Sequence, residues 1–429
     1  MSKSGARPDF LHAMRCAVQQ WAAPIHQSHL GYGAVRIMNQ SAHITWEEAG
    51  QTQVAQWMAD NGARPPVKVA VVDDTLSADT AYRMACEGTG LLWRGDFQNA
   101  RQLLQALKRR LDRPSGKRVN LTKANKSGHP APSLFNVHRQ AQAHRARVLG
   151  QILVVLEADG RIDLRRAPQV QAACQQAWGA GDGALRVVSL RSLLGAIGAF
   201  EWRKNGVEVP ALGEALRIHP HYGVFSPVRG EYVDLVSKAP LPAGLKAAPV
   251  AFDIGTGTGV LAAVLARRGV AQVVGTDMSE RALACAQDNL QRLGLQNQVQ
   301  LVSADLFPPG QAALVVCNPP WIPARPTSLL EQAVYDEGSQ MLRGFLSGLP
   351  GHLSPGGEGW LILSDLAELL DLRTRATLLD WIDQAGLQVL GRMDTKPVHA
   401  KVMDATDALH AARAAEVTSL WRLAVKSQG

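Results

Sequence analysis

The sequence predicts an α/β protein whose C-terminal part forms a doubly wound sheet of seven strands, preceded by an N-terminal α+β region. Two patterns support this prediction. From residue 249 onward, short apolar runs alternate with helical segments, as in successive βαβ units. Residues 1–210 instead mix separate strand-like and helical patterns, without an internal repeat. We therefore predict two domains, residues 1–210 and residues 211–429.

The C-terminal runs have the length and apolar character of buried strands. They are, in chain order, PVAFDIG, AQVVGTD, VQLVSAD, AALVVCN, EGWLILS, LQVLGRM and TSLWRLAV. Helical patterns fill most of the intervals between them. The predicted helices are GVLAAVLARRG, SERALACAQDNLQRLG, residues 338–353 and residues 370–384. This alternation is typical of an open sheet with helices on both faces.

The N-terminal region is less regular. A stretch rich in Pro, Gly, Ser and Lys predicts a linker over 112–133. Asp96 is placed to cap a helix that ends near Leu111. Asp159-Gly160 is typical of a hairpin turn, so residues 151–166 are predicted to form a strand pair. The other predicted elements are a mostly helical segment over 8–62, a strand at 67–72, a helix before Gly88, helices at 136–149 and 168–180, and an extended segment from 216 that becomes helical after Pro227.

Composition narrows the functional classes. Apolar residues make up 46% of the 429 residues, which excludes a disordered chain. Runs of about 18 uncharged apolar residues are missing, so we predict no membrane span. The cysteines lack CxxC spacing, so we predict no metal site and no disulfide framework, and we expect a reducing cytoplasmic location. They are Cys16, Cys86, Cys174, Cys285 and Cys317.

Positive charge is concentrated in one stretch. The net charge is +8, and residues 108–147 contain eleven Lys or Arg against one acidic residue, Asp112. Such a stretch could follow the phosphate backbone of a nucleic acid, or it could be a solvated linker. Phe135 is its single aromatic residue, which gives little support for stacking on bases.

A glycine-rich turn, DIGTGTG at 253–259, lies between a predicted strand and a predicted helix. Glycine permits a tight turn and lets the backbone approach a bound molecule closely. The spacing is GxGxG, and Val260 occupies the position where the dinucleotide pattern GxGxxG requires glycine, which disfavours NAD. Taken alone, the cluster could also be an ordinary turn.

Two acidic residues end the next two predicted strands. Asp277 follows VVGT and Asp305 follows VSA. A carboxylate at the tip of the second strand can accept hydrogen bonds from both ribose hydroxyls of a nucleoside. Asp277 could instead favour the positive end of the following helix. Asp305, at the tip of the third strand, could meet the amino group of an adenine.

These three strand ends, taken in order, resemble the class I S-adenosylmethionine-dependent methyltransferases over about residues 220–429. The resemblance implies a Rossmann-like seven-stranded methyltransferase domain, with the N-terminal region recognising the substrate. It also implies that Asp277 binds the ribose of S-adenosylmethionine, that Asp305 and Leu306 meet the adenine, and that Met278 lies against the adenine face. The residues implied for the methionine end are Asp253, Gly255, Thr256, Gly257 and Gly259.

The fourth strand ends on Asn318-Pro319-Pro320-Trp321, which is similar to the NPP[YFW] motif of the amino-methyltransferases. Those enzymes methylate planar nitrogens, such as N6 of adenine or N5 of glutamine. The resemblance implies that Asn318 and Pro319 accept hydrogen bonds from the N–H groups of the methyl acceptor. Such bonds stabilise the positive charge that develops on the attacking nitrogen, so a strong base is not needed. Pro319 and Pro320 fix the backbone and offer no competing donor, and Trp321 can stack on the acceptor. A proline-terminated strand with a packed tryptophan is the structural alternative.

The segment HYGVFSPVRGEY at 221–232 resembles the stretch that flanks the cofactor in glutamine N5-methyltransferases. That family carries Pro-Arg-Pro-Glu-Thr-Glu, whereas this chain has Ser-Pro-Val-Arg-Gly-Glu. Phe225 and Pro227 could form a wall of the cofactor or substrate site, or could belong to the core.

The prediction is an N-methyltransferase that transfers the methyl group of S-adenosylmethionine to a planar nitrogen of a macromolecule. Its partner is either a protein with an acceptor glutamine or a nucleic acid with an acceptor adenine. The alternatives are a small-molecule N-methyltransferase and a non-catalytic binding protein that uses the same fold. An intact glycine loop together with Asp277 and Asn318 argues against the second alternative.

Overall fold

A computed structural model describes residues 42–112, 131–228, 230–397 and 409–427. Residues 8–41 of the segment predicted to be mostly helical, and most of the predicted linker, lie outside these ranges. So do five of the basic residues of the 108–147 stretch, which are Arg113, Lys117, Arg118, Lys123 and Lys126. Among the described residues, no helix has the length and apolar character needed to cross a membrane.

The N-terminal part contains a six-stranded sheet with the strand order β1-β2-β6-β5-β4-β3. The strands are β1 (His43–Glu48), β2 (Gln51–Met58), β3 (Val69–Val72), β4 (Gly90–Trp93), β5 (Ile152–Leu156) and β6 (Arg186–Ser189). Helices cover the sheet. They are α1 (Ala78–Cys86), α2 (Phe97–Asp112), α3 (Ala131–Leu149), α4 (Gln171–Trp178) and α5 (Leu190–Asn205). Strands at 69–72 and helices at 97–112, 131–149 and 171–178 confirm those parts of the prediction.

The helical prediction for 8–62 is wrong where the structure describes the chain. Strands β1 and β2 form an antiparallel hairpin instead, joined by a turn in which Ala49 and Gly50 both have positive φ, 51° and 76°. The reason is a period of two: Ile44 and Trp46 are buried while the residues between and beside them are exposed or half-buried. That alternation is the mark of a half-buried strand.

The predicted strand pair at 151–166 is also wrong in its second half. The Asp159-Gly160 turn forms, and across it the N–H of Glu157 donates a hydrogen bond to the carbonyl of Arg161 at 2.8 Å. Residues 161–166, however, do not form a strand. Strand β5 is hydrogen-bonded on both sides, to β4 and to β6. The Asp159-Gly160 signal therefore predicts the turn correctly, but the partners of β5 come from distant segments of the chain.

The C-terminal part contains the predicted seven-stranded sheet, with the order β11-β10-β9-β12-β13-β15-β14. Its strands are β9 (Val250–Ile254), β10 (Gln272–Asp277), β11 (Val299–Ser303), β12 (Ala312–Cys317), β13 (Leu353–Ser364), β14 (Leu387–Thr395) and β15 (Thr418–Val425). Strand β15 runs antiparallel to both of its neighbours, and the other paired strands are parallel. The described helices are α6 (Glu231–Lys238), α7 (Val260–Arg267), α8 (Glu280–Arg292), α9 (Gln340–His352), α10 (Leu366–Leu369), α11 (Arg375–Gln384) and α12 (His410–Ala415).

The strand order reverses between β9 and β12, which lie side by side with Ile254 opposite Cys317. From β9 the chain proceeds to β10 and β11 in one direction, and from β12 to β13 in the other. In open α/β sheets, ligands bind at the carboxyl ends of the strands at such a reversal. The six residues of β12 are all buried, so the loop that follows it starts from a rigid base.

The two sheets belong to one compact unit. The predicted boundary at 210 stays a prediction, and the chain near it contacts the C-terminal core. Strands β7 (Val207–Glu208) and β8 (Arg217–Ile218) pair around that position, and Val209 and Leu212 are buried in the same cluster as strands β9 and β12.

Candidate active site

The glycine turn after β9 adopts a backbone that requires glycine. Gly255, Gly257 and Gly259 have φ of 70°, 55° and 79°, which other residues rarely adopt. A Cβ on Gly255 would lie 2.8 Å from Cε of Met341, whereas one on Gly257 would meet no atom closer than the Gly255 carbonyl at 3.9 Å. The loop therefore packs closely at Gly255 and faces open space at Gly257.

Asp253 lies beneath this loop and is 1% exposed. Its Oδ2 accepts hydrogen bonds from the Thr256 hydroxyl at 2.6 Å and from the Ala262 N–H in the first turn of α7 at 3.0 Å. Burial raises the pKa of the Asp253 carboxyl to about 6. The resemblance implies a contact of Asp253 with the methionine end of the cofactor, but in the structure Asp253 and Thr256 hold the shape of the loop from inside.

Asp277 ends β10 and reaches the same loop from the side. Its Oδ2 accepts a hydrogen bond from the Gly257 N–H at 3.0 Å, and its Oδ1 accepts one from the Ser279 N–H at 2.9 Å. Burial raises the pKa of this half-buried carboxyl. Each carboxylate oxygen can accept more than one hydrogen bond, so Asp277 retains capacity for two hydroxyl groups.

The residues predicted to contact adenine lie farther along the same edge. Met278 is 64% exposed, and Asp305 is exposed beyond the end of β11. Leu306 has a φ of 69°, unusual for a residue other than glycine, and its carbonyl accepts a hydrogen bond from the Thr276 hydroxyl at 2.5 Å. This bond ties the loop after β11 to strand β10, next to Asp277.

The motif after β12 is held by its own tryptophan. The Nε1–H of Trp321 donates to Oδ1 of Asn318 at 2.9 Å. Both side chains are half-buried, and the Trp321 ring packs against the buried clusters on either side of the sheet and against Ile322. A carboxamide oxygen has two lone pairs, so Asn318 can accept a second hydrogen bond. The sequence suggested a stacking role for Trp321, and the structure adds an orienting role.

The strand order arranges these groups along one edge. Asp305, Asp277, the glycine loop and Asn318 follow β11, β10, β9 and β12, which are adjacent in that order. Neighbouring strands are ~4.8 Å apart, so the row spans roughly 14 Å. The edge offers hydrogen-bond acceptors for hydroxyl groups at Asp277, open space above Gly257 and an exposed apolar side chain at Met278. These features suit a nucleoside that carries an amino-acid chain, so the residues fit S-adenosylmethionine.

Two residues that shape the loop were not singled out from the sequence. The Asp336 carboxylate accepts hydrogen bonds from the N–H groups of Gln340, Met341 and Leu342 at 2.7, 3.0 and 3.3 Å, so it caps α9 and places Met341 against Gly255. Burial raises the pKa of Asp336. Its position just before an apolar helical run was an available capping signal.

Asn289 is the second such residue, and it links the chain just before the 221–232 segment to the glycine loop. Its Nδ2 donates to the Thr258 carbonyl at 3.0 Å, and its Oδ1 accepts from the His219 N–H at 2.7 Å. Asn289 is 1% exposed on α8, where the sequence alone reads as an ordinary helical position. The sequence left open whether Phe225 and Pro227 form a wall of the site or belong to the core. In the structure Phe225 is 36% exposed, whereas Pro227 is buried.

Across residues 42–112, 131–228, 230–397 and 409–427, no group of three or more His, Cys, Asp or Glu side chains is arranged to hold a metal ion. Burial raises the pKa of Cys317 well above its ordinary value, so this thiol beside Asn318 is protonated and a poor nucleophile.

Comparison with known proteins agrees with this geometry. Residues 215–368 match a family model described as the methyltransferase small domain. A release factor glutamine methyltransferase from Cereibacter sphaeroides is 35% identical over 119 residues, which cover 24% of this chain and 43% of the relative. A ribosomal protein uL3 glutamine methyltransferase from Bordetella pertussis is 35% identical over 121 residues, 25% of this chain and 41% of the relative.

The chain thus spans less than half of the length of these two relatives. Among solved structures, a methyltransferase from Pyrococcus furiosus is 21% identical with a TM-score of 0.36, covering 53% of this chain and 96% of that one. The matched region contains the glycine loop, Asp277, Asp305 and the Asn318 motif. The C-terminal part of the chain is thus similar, over residues 215–368, to the methyltransferase small domain.

Proposed function

We propose that the chain is an N-methyltransferase that transfers the methyl group of S-adenosylmethionine to the side-chain amide of a glutamine in a protein. The observation that carries the proposal is the Asn318 carboxamide, oriented by Trp321 at 2.9 Å, at the end of the strand next to the glycine loop. When bound, S-adenosylmethionine supplies an electrophilic methyl group. The residues of the chain then have to place a weakly nucleophilic planar nitrogen in line with it.

Asn318 is suited to that task. An amide nitrogen is a poor nucleophile because its lone pair is delocalised, and attack leaves positive charge on it. The second lone pair of the Asn318 oxygen and the Pro319 carbonyl can each accept an N–H bond of the acceptor, and both bonds strengthen as that charge develops. A fixed acceptor, already turned by Trp321, costs little reorganisation at the moment of reaction.

Protein glutamine is favoured over nucleic acid on two grounds. The two relatives described above are named as glutamine methyltransferases of a release factor and of a ribosomal protein. In addition, three arginines of the basic stretch pair with acids of the chain itself: Arg110 with Asp79 at 2.7 Å, Arg139 with Glu331 at 3.2 Å, and Arg145 with Asp112. These pairs occupy charge that a phosphate backbone would need.

The test is transfer of a labelled methyl group from S-adenosylmethionine to a bacterial extract, to a purified release factor and to ribosomal protein uL3. We expect label that protease removes and RNase leaves. Hydrolysis of the labelled protein should release methylamine, because a methylated side-chain amide gives its amine when the amide bond is cleaved. Label removed by RNase would favour adenine, label in the small-molecule fraction would favour a metabolite, and release of methanol would mean methylation of oxygen.

A further inference from the structure

Helix α3 of the N-terminal part lies against the loop that follows the Asn318 motif. Phe135 is 4% exposed and buried in one cluster with Ile322, the residue after Trp321. Its ring meets the Tyr335 ring edge to face, with 6.4 Å between centroids. The two ends of the loop are joined, since Ile322 forms a parallel bridge with Tyr335 and the N–H of Asp336 donates to the Ile322 carbonyl at 2.9 Å. Tyr335 is thus joined through the backbone to Ile322, the residue that follows Trp321.

Arg139 makes three separate contacts with this loop. Its guanidinium is 3.2 Å from the Glu331 carboxylate, donates to the Arg325 carbonyl at 2.7 Å, and lies over the Tyr335 ring, 4.2 Å from the centroid. Planar guanidinium groups suit such combined pairing and stacking. Glu331 is itself fixed, because Thr327 donates to it through its N–H and its hydroxyl at 2.8 and 2.7 Å.

The electrostatics support the pairing of Arg139 with Glu331. Although burial raises the pKa of Glu331, hydrogen bonds from Thr327 and Arg139 outweigh it and hold that pKa below its ordinary value. Glu331 is thus ionised near neutral pH and can hold Arg139 in place. The cavity beside these residues measures about 390 Å³ and is lined on one side by Phe135 and Arg139 and on the other by Pro323 and Ala324.

We propose that Arg139 is a positioning residue of the methyl-transfer site. From helix α3 it fixes the conformation of the loop 322–336. Through Ile322 and Trp321, the loop in turn fixes the orientation of the Asn318 carboxamide. The expected effect of Arg139 on methyl transfer rests on the proposed function. The role of Arg139 in fixing the loop 322–336 does not depend on that function. The N-terminal part then contributes to catalysis by position, in addition to any recognition of the substrate.

The test compares Arg139→Gln and Arg139→Lys with Arg145→Gln in the full chain. Arg145 is a matched control, because it lies on the same helix and also pairs with one acid, Asp112, away from the loop. Hydrogen exchange reports the loop directly, since the amides of Ile322 and Asp336 are hydrogen-bonded within it. We expect roughly five- to tenfold faster exchange of these amides in Arg139→Gln, a smaller change in Arg139→Lys, and none in Arg145→Gln.

Calorimetry with S-adenosylmethionine and methyl transfer to a purified release factor and to uL3 complete the test. We expect Arg139→Gln to keep cofactor affinity and to lower kcat by roughly ten- to a hundredfold. Glu331→Gln should change kcat in the same direction but less, because it removes only one of the three contacts of Arg139. The double variant should be no worse than Arg139→Gln alone, because the contact with Glu331 is already lost there.

Three results would overturn the inference. One is unchanged exchange in Arg139→Gln, and another is an equal effect of Arg145→Gln, which would mean a general loosening of α3. The third is a wild-type kcat in Arg139→Gln on an acceptor that the wild-type protein methylates. If the wild-type protein methylates neither acceptor, the proposed function fails for these proteins, and the exchange result still decides whether Arg139 positions the loop.

Discussion

The indole nitrogen of Trp321 lies 2.9 Å from the carboxamide oxygen of Asn318 and donates a hydrogen bond to it. This bond makes the tryptophan part of the polar site as well as part of the core. It also fixes which way the Asn318 amide points, because the oxygen must face the indole. The amide NH₂ is thereby turned away from Trp321. The oxygen keeps one lone pair that can accept a hydrogen bond from an N–H of the methylated substrate.

Replacing Asn318 by alanine should leave cofactor affinity nearly unchanged and lower turnover by roughly 10²–10³-fold, the usual effect of losing one preorganised polar partner. Asn318→Asp keeps an oxygen for Trp321 and should retain more activity than alanine. Calorimetry with S-adenosylmethionine and methyl transfer to the identified acceptor measure the two effects. Wild-type turnover in Asn318→Ala would mean that the motif is structural and that the reaction class is different.

Trp321→Phe should be more damaging than its similar shape suggests. Phenylalanine keeps an aromatic ring but has no N–H to donate to Asn318, so the carboxamide loses its fixed orientation. We expect a fall in kcat of roughly tenfold, from a hydrogen bond worth about 1 kcal/mol, with a smaller change in KM. The matched control is Trp381→Phe, whose indole lies on α11 in the same domain. Equal kinetics for Trp321→Phe and the wild-type protein would exclude the orienting role.

Asp277→Ala should weaken binding of S-adenosylmethionine by about 1–3 kcal/mol, because it leaves ribose hydroxyls and the Gly257 N–H without their acceptor. Asp277→Asn keeps one acceptor oxygen and should lose less. Calorimetric titration measures both variants, with Asp380→Ala, an exposed acid on α11, as the control. NAD should bind poorly to all four proteins, and tight NAD binding without S-adenosylmethionine binding would contradict the assignment of the site.

Gly255→Ala should destabilise the fold more than Gly257→Ala. Both glycines have positive φ, 70° and 55°, so each alanine costs about 1–2 kcal/mol of backbone strain. In addition, the new Cβ at position 255 would lie 2.8 Å from Cε of Met341, whereas position 257 is open. Urea unfolding compares the two variants in wild-type and Met341→Ala backgrounds. If the excess cost at Gly255 persists without the Met341 side chain, the contact is not its cause.

The buried carboxyl of Asp253 should make stability depend on pH. Its pKa is raised to about 6 in the folded chain, above its ordinary value near 3.9. Between these values the folded state holds a proton that the unfolded state has released, so stability falls as pH rises through about 4 to 6 and is level above. The loss is about 3 kcal/mol. Asp253→Asn keeps an oxygen for Thr256 and Ala262 and should flatten this part of the curve in urea unfolding, with Asp380→Asn as the control.

The sequence alone determined the sheet of the C-terminal domain and the set of residues at its edge. The prediction of the sheet succeeded because it depends on local features: alternating strand and helix patterns, glycines that permit positive φ, and prolines that end a buried strand. The roles of the edge residues stay predictions. The same local reasoning failed in the N-terminal part, where the strand at 152–156 pairs with strands about sixty residues before and thirty residues after it. Pairing between distant segments leaves little trace in the run of residues itself.

The tertiary structure decided what each edge residue does. Asp253 and Asp277 are both acids at strand ends, yet one is buried beneath the glycine loop and the other borders it. In the register of the two strands Asp253 is level with Gly275, so Asp277 lies two residues nearer the carboxyl edge of the sheet. Asn289 and Arg139 gain their roles from neighbours far away in the sequence. Such roles depend on which side chains the fold brings within hydrogen-bonding distance, a property of three-dimensional packing that residue type and spacing do not contain.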